Sequence, residues 1–180
     1  YGMGEHQMAE IAHRLAKGED VHQIRDVRGT CYMTKDTEDC VFSFVQEPSF
    51  EEVSRDRHAY AKAALIEHDE QDFVRGRAII QGYEGRFLVQ NPPAIPLNTQ
   101  ELDQVADLPY TTYHPSYEEL GGVDAIREVE FSIIHNRGCF GACNFCALTM
   151  HQGRFVTSRS HQSVVKEAQR MTENPRFKGY

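Results

Sequence analysis

The chain has 180 residues, 40% hydrophobic and 26% charged, which excludes a low-complexity composition and suits one domain or two small ones. Nineteen Lys and Arg against twenty-seven Asp and Glu leave a net charge of −8, so no basic surface dominates to attract nucleic acid or anionic lipid. No apolar run approaches the roughly 18 residues of a membrane span, and the opening YGMGEHQMAE lacks the charged-then-apolar layout of a signal peptide.

The opening YGMGEH followed by MAEIAHRLAKGED reads as a glycine-bearing turn entering a helix, with Met8, Ile11, Ala12 and Leu15 on one face and Gly18 stopping it. Such a helix belongs to the last strand-to-helix step of an α/β domain. With no initial Met and no upstream strands, the expectation is an internal piece of a longer protein. Two β-rich stretches, Ile24 to Met33 and Cys40 to Gln46, flank the polar TKDTED and are expected to pair as a hairpin. Ser49 opens a capping box with Glu52, which predicts a helix from about Phe50 to Gln71. Phe50, Val53, Tyr60, Ala64 and Leu65 form its apolar face, while Glu51, Asp56, Arg55 and Arg57 read as solvated charge. Arg77 to Gln81 and Arg86 to Gln90 flank Gly82-Tyr83-Glu84-Gly85, a hairpin signal.

From Asn91 the proline-bearing NPPAIP, with Pro109 and Pro115 beyond it, predicts an extended linker over about 91–120. Val129, Phe131, Ile133 and Ile134 then read as a buried strand that ends where the cysteines begin. Ser160 or Ser163 is expected to cap a helix holding Val164, Val165, Ala168 and Met171, terminated by Asn174-Pro175.

Five cysteines are present, and Cys139, Cys143 and Cys146 form CxxxCxxC beside Gly138 and Gly141. That clustering suits metal ligation in a reducing compartment better than a disulfide framework, so the cytoplasm is the expected location. Three soft thiolates in one short loop select zinc or an iron-sulfur cluster over magnesium or calcium. His151 follows Cys146 by five positions and would complete a Cys3His zinc tetrahedron, the signature of a non-enzymatic binding module. Three cysteines without a fourth instead suit an iron-sulfur cube with one open iron. Cys31 and Cys40 lie about a hundred residues upstream and read as separate reduced thiols.

CxxxCxxC with the aromatic Phe145 before the last cysteine resembles the signature of the radical S-adenosylmethionine (SAM) superfamily. The strings RGCFGACNFCALTMHQGRFVTSRS and FLVQNPPAIPLNTQELDQVADLPYTTYHPSY resemble the YgiQ family of uncharacterised radical SAM proteins over nearly the whole chain. The resemblance implies that Cys139, Cys143 and Cys146 hold a 4Fe-4S cluster whose open iron binds SAM. Reductive cleavage would then give a 5′-deoxyadenosyl radical, with an electron donor such as flavodoxin or ferredoxin and a substrate left open. Phe145 would support the adenine side of SAM, and Arg159, in Ser-Arg-Ser after the loop, would lie near it. No catalytic side chain is assigned, and the GMGE opening does not suffice to imply cobalamin.

The fold expected from the resemblance is α/β. Residues 1–110 correspond to the end of an N-terminal auxiliary region and the start of a linker, and 111–180 to the first βα unit of an incomplete TIM-like barrel. The glycine-rich SAM motif of the superfamily does not occur before Tyr180, so the parent protein is expected to be active and this piece alone inactive.

Overall fold

In a computed structural model, which describes every residue except Thr112, Asn144 and Tyr180, helix α1 spans Glu5–Ala16. It ends beside Gly18, whose positive φ of 85° suits glycine. Its apolar residues are not buried within the chain: Met8 is 67% exposed. Contacts gather the chain into two compact units, one formed by Tyr1–Pro96 with Gly138–Val156 and the other by Leu97–Arg137 with Thr157–Tyr180.

The first unit is built on a four-stranded mixed sheet of β1 (Cys31–Thr34), β2 (Phe44–Gln46), β3 (Ala78–Tyr83) and β4 (Arg86–Gln90), in the order β1-β4-β3-β2. The expected hairpin joins β3 to β4, with Tyr83 opposite Arg86 and only Glu84 and Gly85 between them. Both turn residues have positive φ, 45° and 73°, which matches the twist of the flanking strands. Ala78, Ile79, Ile80 and Val89 are buried here and form the core with Met3, Ile24, Val27 and Ala63.

β1 and β2 do not form the expected hairpin with each other. β1 pairs antiparallel with β4, Cys31 opposite Gln90, and β2 pairs parallel with β3, Phe44 opposite Ala78. The polar TKDTED separates two opposite sheet edges, because the better apolar partners, Ala78–Ile80 and Val89, lie later in the chain. A parallel pair needs a crossover, and the chain supplies it as two helices, α2 (Phe50–Val53) and α3 (Arg57–Asp69). The single long helix expected from Ser49 is therefore broken. Ser49 does form its capping box with Glu52, but Asp56 starts a second helix, its side chain accepting from the His58 amide at 2.9 Å.

The expected linker over about 91–120 begins packed against the first unit and is later interrupted by helix. Asn91, Pro92, Pro93 and Ala94 are buried. Asn91 Nδ2 donates to the carbonyls of Arg25 and Val27, both at 2.9 Å, so the segment returns to the sheet unit as a clasp.

In the second unit, Asn98 and Glu101 make another capping box and start α4 (Thr99–Ala106). A 3-10 turn covers Pro115–Leu120, and α5 covers Ile126–Val129. The buried strand expected over 129–134 is absent: Val129 lies at a helix end, and Ile134 is 72% exposed. Only β5 (Asn136–Arg137) follows, paired antiparallel with β6 (Thr157–Ser158). Between them in sequence lies α6 (Ala147–Gln152), which belongs to the first unit. The second unit closes with α7 (His161–Thr172), capped as expected by Ser160, whose hydroxyl accepts from the Ser163 amide at 3.1 Å. Among the described residues no helix is long and apolar enough to cross a membrane.

Candidate functional site: the cysteine loop

The loop enters through Gly138, at φ 83°, where a Cβ would run into the Phe155 carbonyl oxygen. Any other residue would push the loop away from the returning chain, so glycine here is a packing requirement. The Gly138 amide donates to Gln152 Oε1 at 3.2 Å and the Cys139 amide to the Gly153 carbonyl at 3.4 Å, which ties the loop's start to the end of α6.

Inside the loop, the Gly141 amide points at Cys139 Sγ, 3.4 Å away. A Cβ added at Gly141 would lie 3.4 Å from Cys139 Sγ and 3.7 Å from Cys143 Sγ. The bare glycine therefore leaves a cradle flanked by two of the three sulfurs. Ala142 takes a positive φ of 47°, a conformation unusual outside glycine. Loops store strain of this kind at functional positions. The Cys146 amide donates to the Cys143 carbonyl at 3.0 Å, and Cys146 occupies the N-cap position of α6 without a side-chain cap.

Cys143 is exposed, and Cys139 and Cys146 are half-buried. Phe145 is 91% and Phe140 85% exposed, so two aromatic rings stand in solvent beside the thiols. Among the described residues no group of three His, Cys, Asp or Glu is gathered closely enough to hold a metal ion. The donor set nonetheless fits an iron-sulfur cluster: three soft thiols, one amide turned onto sulfur, and a side-chain-free cradle.

The other predicted residues stand elsewhere. His151 lines a cavity of about 460 Å³ with His68, Phe73, Arg154 and Phe155. Arg159, in the second unit, is buried, with Nη1 donating to the Ile134 carbonyl at 3.0 Å, Nη2 to Ser163 Oγ at 2.9 Å, and an ion pair to Glu167. Its planar fork does meet a carboxylate, and that carboxylate belongs to α7. Cys31 and Cys40 are both free thiols, and the Tyr32 hydroxyl lies 3.9 Å from Cys40 Sγ.

A second cavity, of about 580 Å³, was not foreseen from the sequence. Cys143, Phe145, Cys146 and Met150 line it together with Tyr60, Ala64, Leu65 and Glu67 of α3. The apolar periodicity of α3 was legible, but a short-range pattern does not reveal that this face meets a loop eighty residues later. Glu67 is pushed above its ordinary range by burial. Glu47, at the end of β2, is pushed up to about 7, by burial first and by the Glu67 charge second.

The family model for the radical SAM N-terminal region matches residues 1–132. The chain belongs to the radical SAM N-terminal family. That match ends before Cys139, so the cysteine loop lies outside it. Relatives that cover the loop are UPF0313 proteins: one from Clostridium perfringens strain ATCC 13124 is 50% identical over 181 residues, and one from Clostridium botulinum strain Okra is 48% identical over 184. Each alignment takes in 100% of this chain but only 27% and 28% of the respective relative. No solved structure matches the chain.

Proposed function

We propose that this chain carries the N-terminal region and the cluster-binding loop of a radical SAM enzyme of the YgiQ type, with Cys139, Cys143 and Cys146 as ligands of a 4Fe-4S cluster. The observation that carries the reading is the loop itself: three cysteines in CxxxCxxC, two of them flanking a glycine cradle, in a chain whose first 132 residues match the radical SAM N-terminal family. When bound, a cube with one iron free of protein ligand supplies one electron and an open coordination position for SAM. The chain's own residues do the rest. Gly138 lets the loop pack against the Phe155 carbonyl, the Gly141 amide donates to Cys139 Sγ and so orients that sulfur, and exposed Phe145 offers a flat apolar face for the adenine of SAM. Arg159, near SAM by resemblance, has its guanidinium fixed by Glu167 and Ser163. Cytoplasmic location, a flavodoxin- or ferredoxin-like electron donor and a TIM-like barrel in the longer protein belong to the same proposal.

Anaerobic reconstitution with iron and sulfide tests it. Four irons and four sulfides per chain are expected, lost on replacing any one of Cys139, Cys143 and Cys146 by Ala and retained in Cys31→Ala, Cys40→Ala and His151→Ala. One tightly held zinc per chain that His151→Ala releases would overturn the reading in favour of a Cys3His module.

A further inference from the structure

The cavity of about 580 Å³ lies within the size range of small-molecule sites, and its wall is apolar apart from few polar groups: Tyr60, Ala64, Leu65, Phe145 and Met150 against the single acid Glu67. Glu47 does not line the cavity but feels the Glu67 charge; it is 8% exposed, with Oε2 buried and without a hydrogen-bond partner among the described residues. Neither carboxyl has an ion-pair partner there. Lys62 of α3 is exposed, Arg77 is spent on Glu70, and Arg154 is engaged with His68. One carboxyl in the wall of a mostly apolar cavity, with His68 as the wall's other titratable side chain besides the thiols and Tyr60, and a second carboxyl buried within reach of its charge are costly unless one stays protonated or a positive charge arrives from outside.

We infer that this cavity binds a primary amine on an apolar body, with Glu67 as its counter-charge and the buried Glu47 adding to the negative field, and that the amine is the group by which the enzyme recognises its substrate. Only the word substrate rests on the radical SAM reading; the binding site stands on the cavity and its carboxyls. Glu67 lines the wall with Cys143 and Cys146. An amine held there brings the attached carbon skeleton toward the thiol loop, where Phe145 and Leu65 can cover it. The raised proton affinities of both carboxyls agree with this: burial raises each, and the Glu67 charge adds to it at Glu47. An ammonium group supplies three donors, enough for both oxygens of Glu67.

The test uses the isotope-labelled 180-residue chain without metal, titrated with 4-phenylbutylamine, and with 4-phenylbutanoate and 4-phenylbutan-1-ol as matched anionic and neutral probes. Saturable amide shifts in α3 and α6 are expected for the amine, with at least about tenfold weaker binding of the other two, the discrimination of a single well-placed charge contact. Glu67→Gln is expected to bring the amine down to the alcohol's affinity, while Glu38→Gln, an equal charge change at an exposed position, leaves it unaltered. Glu47→Gln is the second variant, expected to weaken the amine less than Glu67→Gln does. Equal binding of the three probes, no saturable shift in the unaltered chain, or equal losses in the Glu38 and Glu67 variants overturns the inference. So does full displacement of the amine by SAM, which would make the cavity the cofactor's seat. Cluster assembly without amine binding sinks this inference and leaves the proposed function standing; amine binding in a chain that assembles no cluster upholds the site and removes only the proposed function.

Discussion

The β3–β4 hairpin and the cysteine loop both turn on positive-φ residues, Glu84 and Gly85 in one, Gly138 and Ala142 in the other, yet they end in opposite states. In the hairpin the strands pair in register from Tyr83 opposite Arg86 to Ile79 opposite Gln90, and the side chains Ile80 and Val89 are fully buried. In the loop the sulfur of Cys143 and the rings of Phe140 and Phe145 face solvent, and the hydrogen bonds among the described residues hold its two ends and touch the sulfurs of Cys139 and Cys143. A segment that satisfies itself is fold; a segment held at its ends with its reactive groups unspent is a site.

The largest expected effect breaks that comparison at the loop. Cys143→Ala should abolish iron and sulfide uptake while leaving the melting temperature of the metal-free chain unchanged, because the side chain removed is exposed. Calorimetry and metal analysis on the same sample read both. A lowered melting temperature would show that the loop contributes to the fold after all.

Ile80→Ala inverts the pattern. Removing a side chain with no exposed surface in the middle of the sheet should cost about 2–5 kcal/mol by denaturant unfolding, from lost transfer energy plus the cavity left behind. The spectrum of a reconstituted cluster should stay unchanged at temperatures where the variant is still folded. An altered cluster would mean that the two regions share one cooperative core.

Between these sits Gly138→Ala. The new Cβ meets the Phe155 carbonyl at a φ of 83°, so about 1–3 kcal/mol of local strain is expected, as much as a sparsely populated backbone conformation costs. Hydrogen exchange should show faster opening of the Cys139 amide, which donates to Gly153, and no change at Ile80. Uniform acceleration would contradict a local effect.

What the sequence shows of this molecule follows the range of the forces. The box of Ser49 with Glu52, the cap at Ser160 and the turn at Glu84-Gly85 are decided within four residues and read directly. The break at Asp56 and the helix after Asn98 had local signals of the same kind, an Asp before a helical run and an Asn-x-x-Glu box, but the longer apolar pattern and the nearby prolines outweighed them. Pairing is different. β2 chose β3, more than thirty residues away, over the nearer β1, and no short-range pattern encodes that competition. Residues 126–134 failed for another reason: Val129, Phe131 and Ile133 fit a strand's alternation, and only the packing of Phe131 on Phe177, rings 5.3 Å apart, shows the chain turning instead. The thiols of the loop were legible because ligand spacing is local, whereas the carboxyls of Glu47 and Glu67 come from a strand and a helix that only the fold brings together.

The last expected effect removes no contact and changes only a slope. Glu47 has an ordinary carboxyl value of 4.5 raised to about 7 in the folded chain, by burial first and by Glu67 second. Between those two values the folded state binds more protons at this site than the unfolded state does, so stability falls as pH rises through the interval. Seven other carboxyls act in the opposite sense, since Glu19, Glu51, Glu52, Glu70, Asp72, Asp103 and Asp107 are all held below their ordinary range. Their contribution is gained as pH rises from the acid side and is largely complete above the unfolded values, near 4. A melting curve of the unaltered chain alone therefore mixes the two. The difference between it and Glu47→Gln isolates the buried group: the glutamine cannot ionise, so the unaltered chain should lose ground to the variant steadily from pH 4.5 to 7 and hold a constant gap above that. Glu67 remains in both proteins and its own upward shift cancels to first order, leaving only its coupling to Glu47. A gap independent of pH would mean that Glu47 ionises as freely as a surface carboxyl, and the argument for a missing positive charge beside it would fail with it.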